Sequence, residues 1–514
     1  MSRTLLTLSL AVLAVAGLAP VAVMALRVVQ DPAALQGLLD ERTLSLLGRT
    51  LLLGGGAAGL ALFVGAPFGY LTARTDLPGA TWLRSLGLVP LIMPPLLLAV
   101  SWTVLVPQLR GAPMTILLMG LSTFPIVALF TAKAARRVDG RREEAALLSG
   151  GLGGVLRMEF GLLLPAALSG TCFAFLFAAS DFAVPDFVSS VGRKFNVYAD
   201  EVFATWQIDG SDSRAVATAL PLVVLILAAL LPALALRRRG TLATLDSDFV
   251  APRTLSLGNW RWPLGLAAWS LISLGALIPV GRMLFEAGGG PTGWSVYKFQ
   301  AAFGKAVDLC RDNLLASLGY SILAATLALP VALILGHAIA RWRHGWLLEM
   351  LCVLPLAAPA ILFGIGNIAV WNGTWTYAFY TSGGMVVLLY IGRFLAFPTL
   401  VSASAVASMD RELEQAAELA GASPMRRMTR IVAPALLPSL MGGWVLMFVL
   451  AMRELDAAIL VPAANDTVMF RMFNAVHFGR DDFVAALALL ILFVTIVPGV
   501  LWRLFSGKEL EVLP

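Results

Sequence analysis

Charge is scarce in this chain: 13% of its 514 residues are Asp, Glu, Lys or Arg, while 59% are hydrophobic. That balance excludes a soluble globular protein, whose charged share is typically about a quarter. Cysteine and histidine are scarcer still, at three each. Cys172 and Cys352 fall in apolar runs and Cys310 in an external loop, so no structural disulfide is expected and the three read as packing residues. His337, His344 and His477 are scattered and no cysteine pair has ligand spacing, so no internal metal site is expected. A phosphate-binding loop is also missing, since Gly304-Lys305 is followed by Ala306 and Gly507-Lys508 by Glu509. No nucleophile, base and orienting acid stand together. The chain is therefore not expected to be an enzyme or to bind a cofactor itself.

Abundant instead are apolar runs long enough to cross a bilayer, which takes roughly 20 residues. Twelve can be read, the first near residues 5 to 26 and the last near 483 to 504. Met1 to Ala25, with Arg3 and a Val-Met-Ala ending, imitates a cleavable signal but reads as an uncleaved first span. With the amino terminus in the cytoplasm, most of the 37 Lys and Arg fall on the cytoplasmic side, as the positive-inside rule requires. Both termini are then cytoplasmic. The net charge of +6 reflects this topology and anionic lipid, and gives no reason to propose nucleic acid.

The chain repeats itself. Pro90 and Pro94 in the third run match Pro355 and Pro359 in the ninth at an offset of 265, and Pro165, Gly170 and Asp181 match Pro438, Gly443 and Glu454 at 273. Both halves share one orientation, which makes them parallel repeats. The fold class expected is an all-α polytopic membrane protein, about twelve transmembrane helices in two parallel six-helix halves. Residues 1-240 form the first half, 241-262 a polar cytoplasmic linker, and 263-514 the second half. Arg237-Arg238-Arg239 reads as the inner-surface anchor of the sixth span.

Each half carries one elaborated cytoplasmic loop, at about 139-161 and 408-434. The first contains Glu143 and then Glu144-Ala145-Ala146-Leu147-Leu148-Ser149-Gly150; the second contains Glu414 and then Gln415-Ala416-Ala417-Glu418-Leu419-Ala420-Gly421. In the second loop Asp410 is a helix N-cap candidate, and Leu413, Ala416, Ala417 and Ala420 share one face. Gly421 suits a left-handed helix end, and Ser423-Pro424 starts a second helix. In the first loop Gly150 is followed by Gly151, Gly153 and Gly154, poor helix formers, so a weaker corner is expected there.

On these motifs the chain resembles the permeases of binding-protein-dependent ATP-binding-cassette importers of the type I fold. Their mark is a cytoplasmic Glu-Ala-Ala-x-x-x-Gly loop before the penultimate span of each half. The second copy departs from it by Gln415 in place of Glu. The resemblance implies that both loops are coupling helices that dock into ATPase subunits. By it, Glu143, Glu144, Ala145, Ala146, Gly150, Glu414, Gln415, Ala416, Ala417 and Gly421 are coupling residues. It also implies two copies of a cytoplasmic ABC ATPase holding ATP and Mg, a periplasmic solute-binding protein, and residence in a bacterial inner membrane. A single chain with both halves fused is most similar to the ferric-iron group, whose relatives carry thiamine, polyamines, phosphonates or sulfate. Asp181, Glu454 and Asp456, near the outer ends of spans five and eleven, either line a translocation path or mark the external water boundary. Tyr198, Trp206, Asp209, Phe473, His477, Phe478 and Asp481 are expected in external loops that meet the binding protein. A secondary transporter is the rival class, but its usual basic Gly-x-x-x-Asp-Arg-type loop between spans two and three has no counterpart in the short stretch from Arg74 to Arg84.

Overall fold

Proline decides where the apolar helices break. The residue before a proline is driven out of the helical region, and the ring cannot donate to the preceding turn. Met93, before Pro94-Pro95, has ψ 129°, and Ala358, before Pro359, has ψ 123°. At these two points the helix pairs Ala80–Ile92 with Pro95–Leu105, and Gly345–Ala357 with Ala360–Trp371, bend by 95° and 98°. The repeat seen as an offset of 265 is thus a repeat of backbone shape.

The computed structural model describes residues 3–35, 40–192, 194–209, 212–240, 250–290, 293–479 and 481–506. Linker residues 241–249 lie outside that set. Eight helices are long and apolar enough to cross a membrane, and four bent pairs raise the number of spans to twelve. The straight spans are Arg3–Gln30, Glu41–Arg74, Ala112–Arg136, Gly153–Ser180, Ser213–Arg237, Gly258–Gly288, Val296–Arg341 and Asp481–Trp502. Among the described residues the sole β pairing is an isolated parallel bridge between Thr75 and Leu255.

Within each half, glycine lets helices touch backbone to backbone. A Cβ on Gly69 of the second span would lie 2.1 Å from the Ala128 carbonyl oxygen, and one on Gly336 of the eighth 2.9 Å from that of Thr399. Repeat partners Gly170 and Gly443 likewise press on Val127 and Pro398. Such contact is the usual means of helix association where lipid removes the hydrophobic driving force.

The halves exchange their first spans. Spans one and seven each carry a π-type bulge, at Ala14–Leu18 and Ser273–Leu277. Gly17 of span one abuts Pro355 in the second half, and Gly275 of span seven abuts Pro90 in the first; an added Cβ would meet either proline at 2.9 Å. Each half therefore embraces a helix of the other.

Candidate docking loops and central polar cluster

Both loops begin with the same cap. Asp139 accepts from the backbone N–H of Arg141 at 3.0 Å, and Asp410 from that of Glu412 at 2.9 Å. A short helix follows, and left-handed glycine ends it. Gly421 has φ +76°, with Gly421 N–H donating to the Glu418 carbonyl and Ala422 N–H to that of Ala417, a Schellman closure. Ser423 then caps the next helix through Arg426 N–H at 3.3 Å. In the first loop the structure moves the corner by one residue: Gly150 continues the helix and Gly151 takes φ +58°. Two adjacent glycines leave the register of the corner undetermined by sequence, because either adopts φ > 0 freely.

An arginine at the loop-side end of a long span anchors each loop. Arg74, 2% exposed, pairs with Glu143 and with Glu159 at 2.9 Å, and Tyr70 donates to Glu159. In the second half Arg341 pairs with Glu414 at 2.8 Å, and His337 meets the other carboxylate oxygen at 2.7 Å. Arg74 and Tyr70 correspond to Arg341 and His337 at a single offset of 267. The anchoring carboxylate is thus Glu143 or Glu414, one position before the family glutamate, and both copies keep it. Glu144, Ala145, Gln415 and Ala416 are exposed, while Ala146 and Ala417 are half-buried. Four residues past Glu144 and Gln415, on the same helix face, Leu148 and Leu419 are 89% and 90% exposed. Glu418 pairs with Arg427 at 2.6 Å, so that carboxylate is used within the loop.

Asp181, Glu454 and Asp456 come together where the halves meet. They line a cavity of about 60 Å³ with Ser180, Arg393 and Arg453. Asp181 accepts from Val184 N–H at 2.9 Å and Glu454 from Ala457 N–H at 2.8 Å, so repeat partners cap equivalent turns. Asp456 reaches Phe182 N–H of the other half at 3.4 Å, Arg453 donates to the Leu91 carbonyl, and Arg393 stands 3.6 Å from Glu454. Among the described residues no group of three or more His, Cys, Asp or Glu is arranged to hold a metal ion.

Two further sequence expectations change. Arg237 is no surface anchor: it is buried, pairs with Glu349 and donates to Ser404 Oγ at 2.8 Å, tying span six to spans nine and ten. The side chains of Arg238 and Arg239 lie outside the described residues. Tyr198 is fully buried, with its backbone N–H on Thr50 Oγ1, rather than facing a partner. The Asp209 side chain lies outside the described residues; Phe478 is exposed, and His477 stands 3.6 Å from Asp186. Sequence reasoning missed Glu349 and Arg393, yet each is a lone charge inside an apolar span, which is itself a signal.

Residues 328–508 match the family model described as binding-protein-dependent transport system inner membrane component. The Fe(3+)-transport system permease protein FbpB 2 of Haemophilus influenzae is 21% identical over 92% of each chain. The putrescine transport system permease protein PotI of Escherichia coli is 27% identical over 39% of this chain and 76% of its own. A probable sulfate transport system permease protein of Nephroselmis olivacea is 29% identical over 40% and 73%. Up to twelve spans among the described residues, a loop of one design in each half, and an iron-permease relative along both halves agree: the chain is an integral membrane permease, matched in its second half by the inner membrane component of binding-protein-dependent transport systems and similar along both halves to the permeases of such importers.

Proposed function

We propose that the chain is the inner-membrane permease of an ATP-driven importer, with both termini cytoplasmic. It moves ferric iron, delivered by a periplasmic binding protein, between its two halves. The observation that carries the ATPase reading is the pair Leu148 and Leu419, equivalent leucines held about nine-tenths exposed on helices whose other side is anchored by a buried ion pair in the first loop and a half-buried one in the second. An apolar knob on a rigid arm in water is what a hydrophobic groove on a partner receives. Two copies of a nucleotide-binding subunit, carrying ATP and Mg, fit two such arms. ATP closure draws the loops together and rocks the halves, and hydrolysis resets them.

The iron assignment rests on the iron-permease relative that aligns along both halves; thiamine, polyamine, phosphonate and sulfate are the alternative solutes. Asp181, Glu454 and Asp456 are proposed to line the path, because they meet at the interface between halves beside a cavity.

The test is co-purification of the chain with a cassette ATPase, and ATPase assay with and without iron-loaded binding protein. Stimulation by that protein supports class and solute; indifference to iron discards the solute, and uptake driven by a proton or sodium gradient without ATPase overturns the class. Burying a leucine is worth about 1.5–3 kcal/mol. Leu419→Asp is therefore expected to weaken ATPase binding by about tenfold or more, read by titration in detergent.

A further inference from the structure

The cytoplasmic linker does not merely join the halves. Its described part, from Val250 to Leu257, runs as a strap beside the first docking loop. Leu255 N–H donates to the Arg74 carbonyl at 2.8 Å, Asp76 N–H to the Leu255 carbonyl at 3.2 Å, and Gly140 N–H to the Val250 carbonyl at 2.9 Å. The Asp76 carboxylate accepts from Leu257 N–H at 2.9 Å, and Arg74 itself donates to the Arg253 carbonyl at 3.0 Å. In the second half the corresponding arginine, Arg341, donates to Met409, a carbonyl of its own loop.

The strap places Arg253 on the docking helix. Arg253 Nη2 lies 3.0 Å from Glu144 Oε1, and both side chains are more than half exposed. Glu144 and Leu148 are one turn apart on one helix face, so a partner that covers Leu148 also abuts Glu144 and Arg253. At the second loop the residue equivalent to Glu144 is the neutral Gln415, and among the described residues no strap lies beside it. The docking face is charged where the strap supplies Arg253 and neutral where no strap is described.

We infer that the first ATPase-docking surface is composite, built from the helix of residues 140–150 and the linker strap together, so that the two ATPase subunits meet different faces. This rests on the docking reading above. The test uses the full-length permease with its three native cysteines replaced by serine and single cysteines at three exposed positions, Leu148→Cys, Leu419→Cys and Thr254→Cys. Maleimide labelling is timed with and without the ATPase. The inference expects ATPase to slow labelling at least tenfold at all three. Protection at the two helix positions with Thr254→Cys unprotected overturns the composite surface alone; no protection at any position overturns the docking reading and this inference with it. Charge reversal at the pair gives an independent check. Arg253→Glu is expected to weaken ATPase binding several-fold, and Arg253→Glu with Glu144→Arg to restore it. Unchanged binding in the single variant also overturns the inference.

Discussion

In the first of the two repeated loops one arginine, Arg74, serves two carboxylates, Glu143 and Glu159, while in the second one carboxylate, Glu414, is served by Arg341 and His337. The chain positions that make these contacts correspond, but the balance of charge is inverted. Burial lifts the Glu143 carboxyl above its ordinary range, Arg74 opposes the rise and Glu159 adds to it. Burial acts on Glu414 in the same direction, but the hydrogen bonds and charges of His337 and Arg341 outweigh it, and its carboxyl sits below the ordinary value. A repeated fold thus preserves where an anchor goes without preserving how it is neutralised. The linker is part of the reason, because its carbonyl and its arginine are available to the first loop only.

The largest test of this comparison removes the arginines. Stripping one partner from a buried ion pair costs about 3–5 kcal/mol, because the remaining charge stays buried. Arg74→Ala leaves two carboxylates uncompensated and is expected to fall in that range, read as loss of thermal stability in detergent. Arg341→Ala leaves one carboxylate that is more exposed and still faces His337, so a smaller loss is expected. Equal losses would break the contrast.

Next in size are the corners. A β-branched residue in the left-handed region costs about 1–3 kcal/mol. Gly421→Val and Gly151→Val should each reduce transport per ATP hydrolysed, whereas Gly150→Val, inside the helix, should change it little. A strong effect at Gly150 with none at Gly151 would return the first corner to the position expected from sequence.

Smallest is the response to acid. The Glu414 contribution, from a lowered carboxyl, is present above its ordinary value of 4.5 and is lost as pH falls through the lower folded value. The Glu143 carboxyl is raised, so its folded-state contribution is present at low pH and fades as pH rises through the raised value. A spin label on each loop should therefore report loosening below pH 4.5 in the second loop only; parallel loosening would contradict the inverted charge balance.

Much of the architecture was legible along the chain. Span number followed from apolar runs of bilayer length; Pro94 and Pro359 were read only as a repeat, although the bends they impose on spans three and nine are local, since ring geometry acts on the adjacent residue alone. Asp410, Gly421 and Ser423 were readable for the same reason: a cap or a left-handed corner is decided within a few residues. Glu143 and Glu414 were harder to single out, because their partners Arg74 and Arg341 are about seventy residues away.

By itself, then, the sequence determined what short-range physics controls: helix length, breaks, caps, the repeat and the two projecting loops. Tertiary structure alone decided the exchange of spans one and seven, the burial of Arg237 against Glu349, the meeting of Asp181 with Asp456, and the linker strap on Glu144. Each of these brings together groups far apart in the chain. Their pairing depends on helix packing around close glycine contacts and on the cost of leaving a charge unpaired away from water, and neither quantity is written in any local pattern.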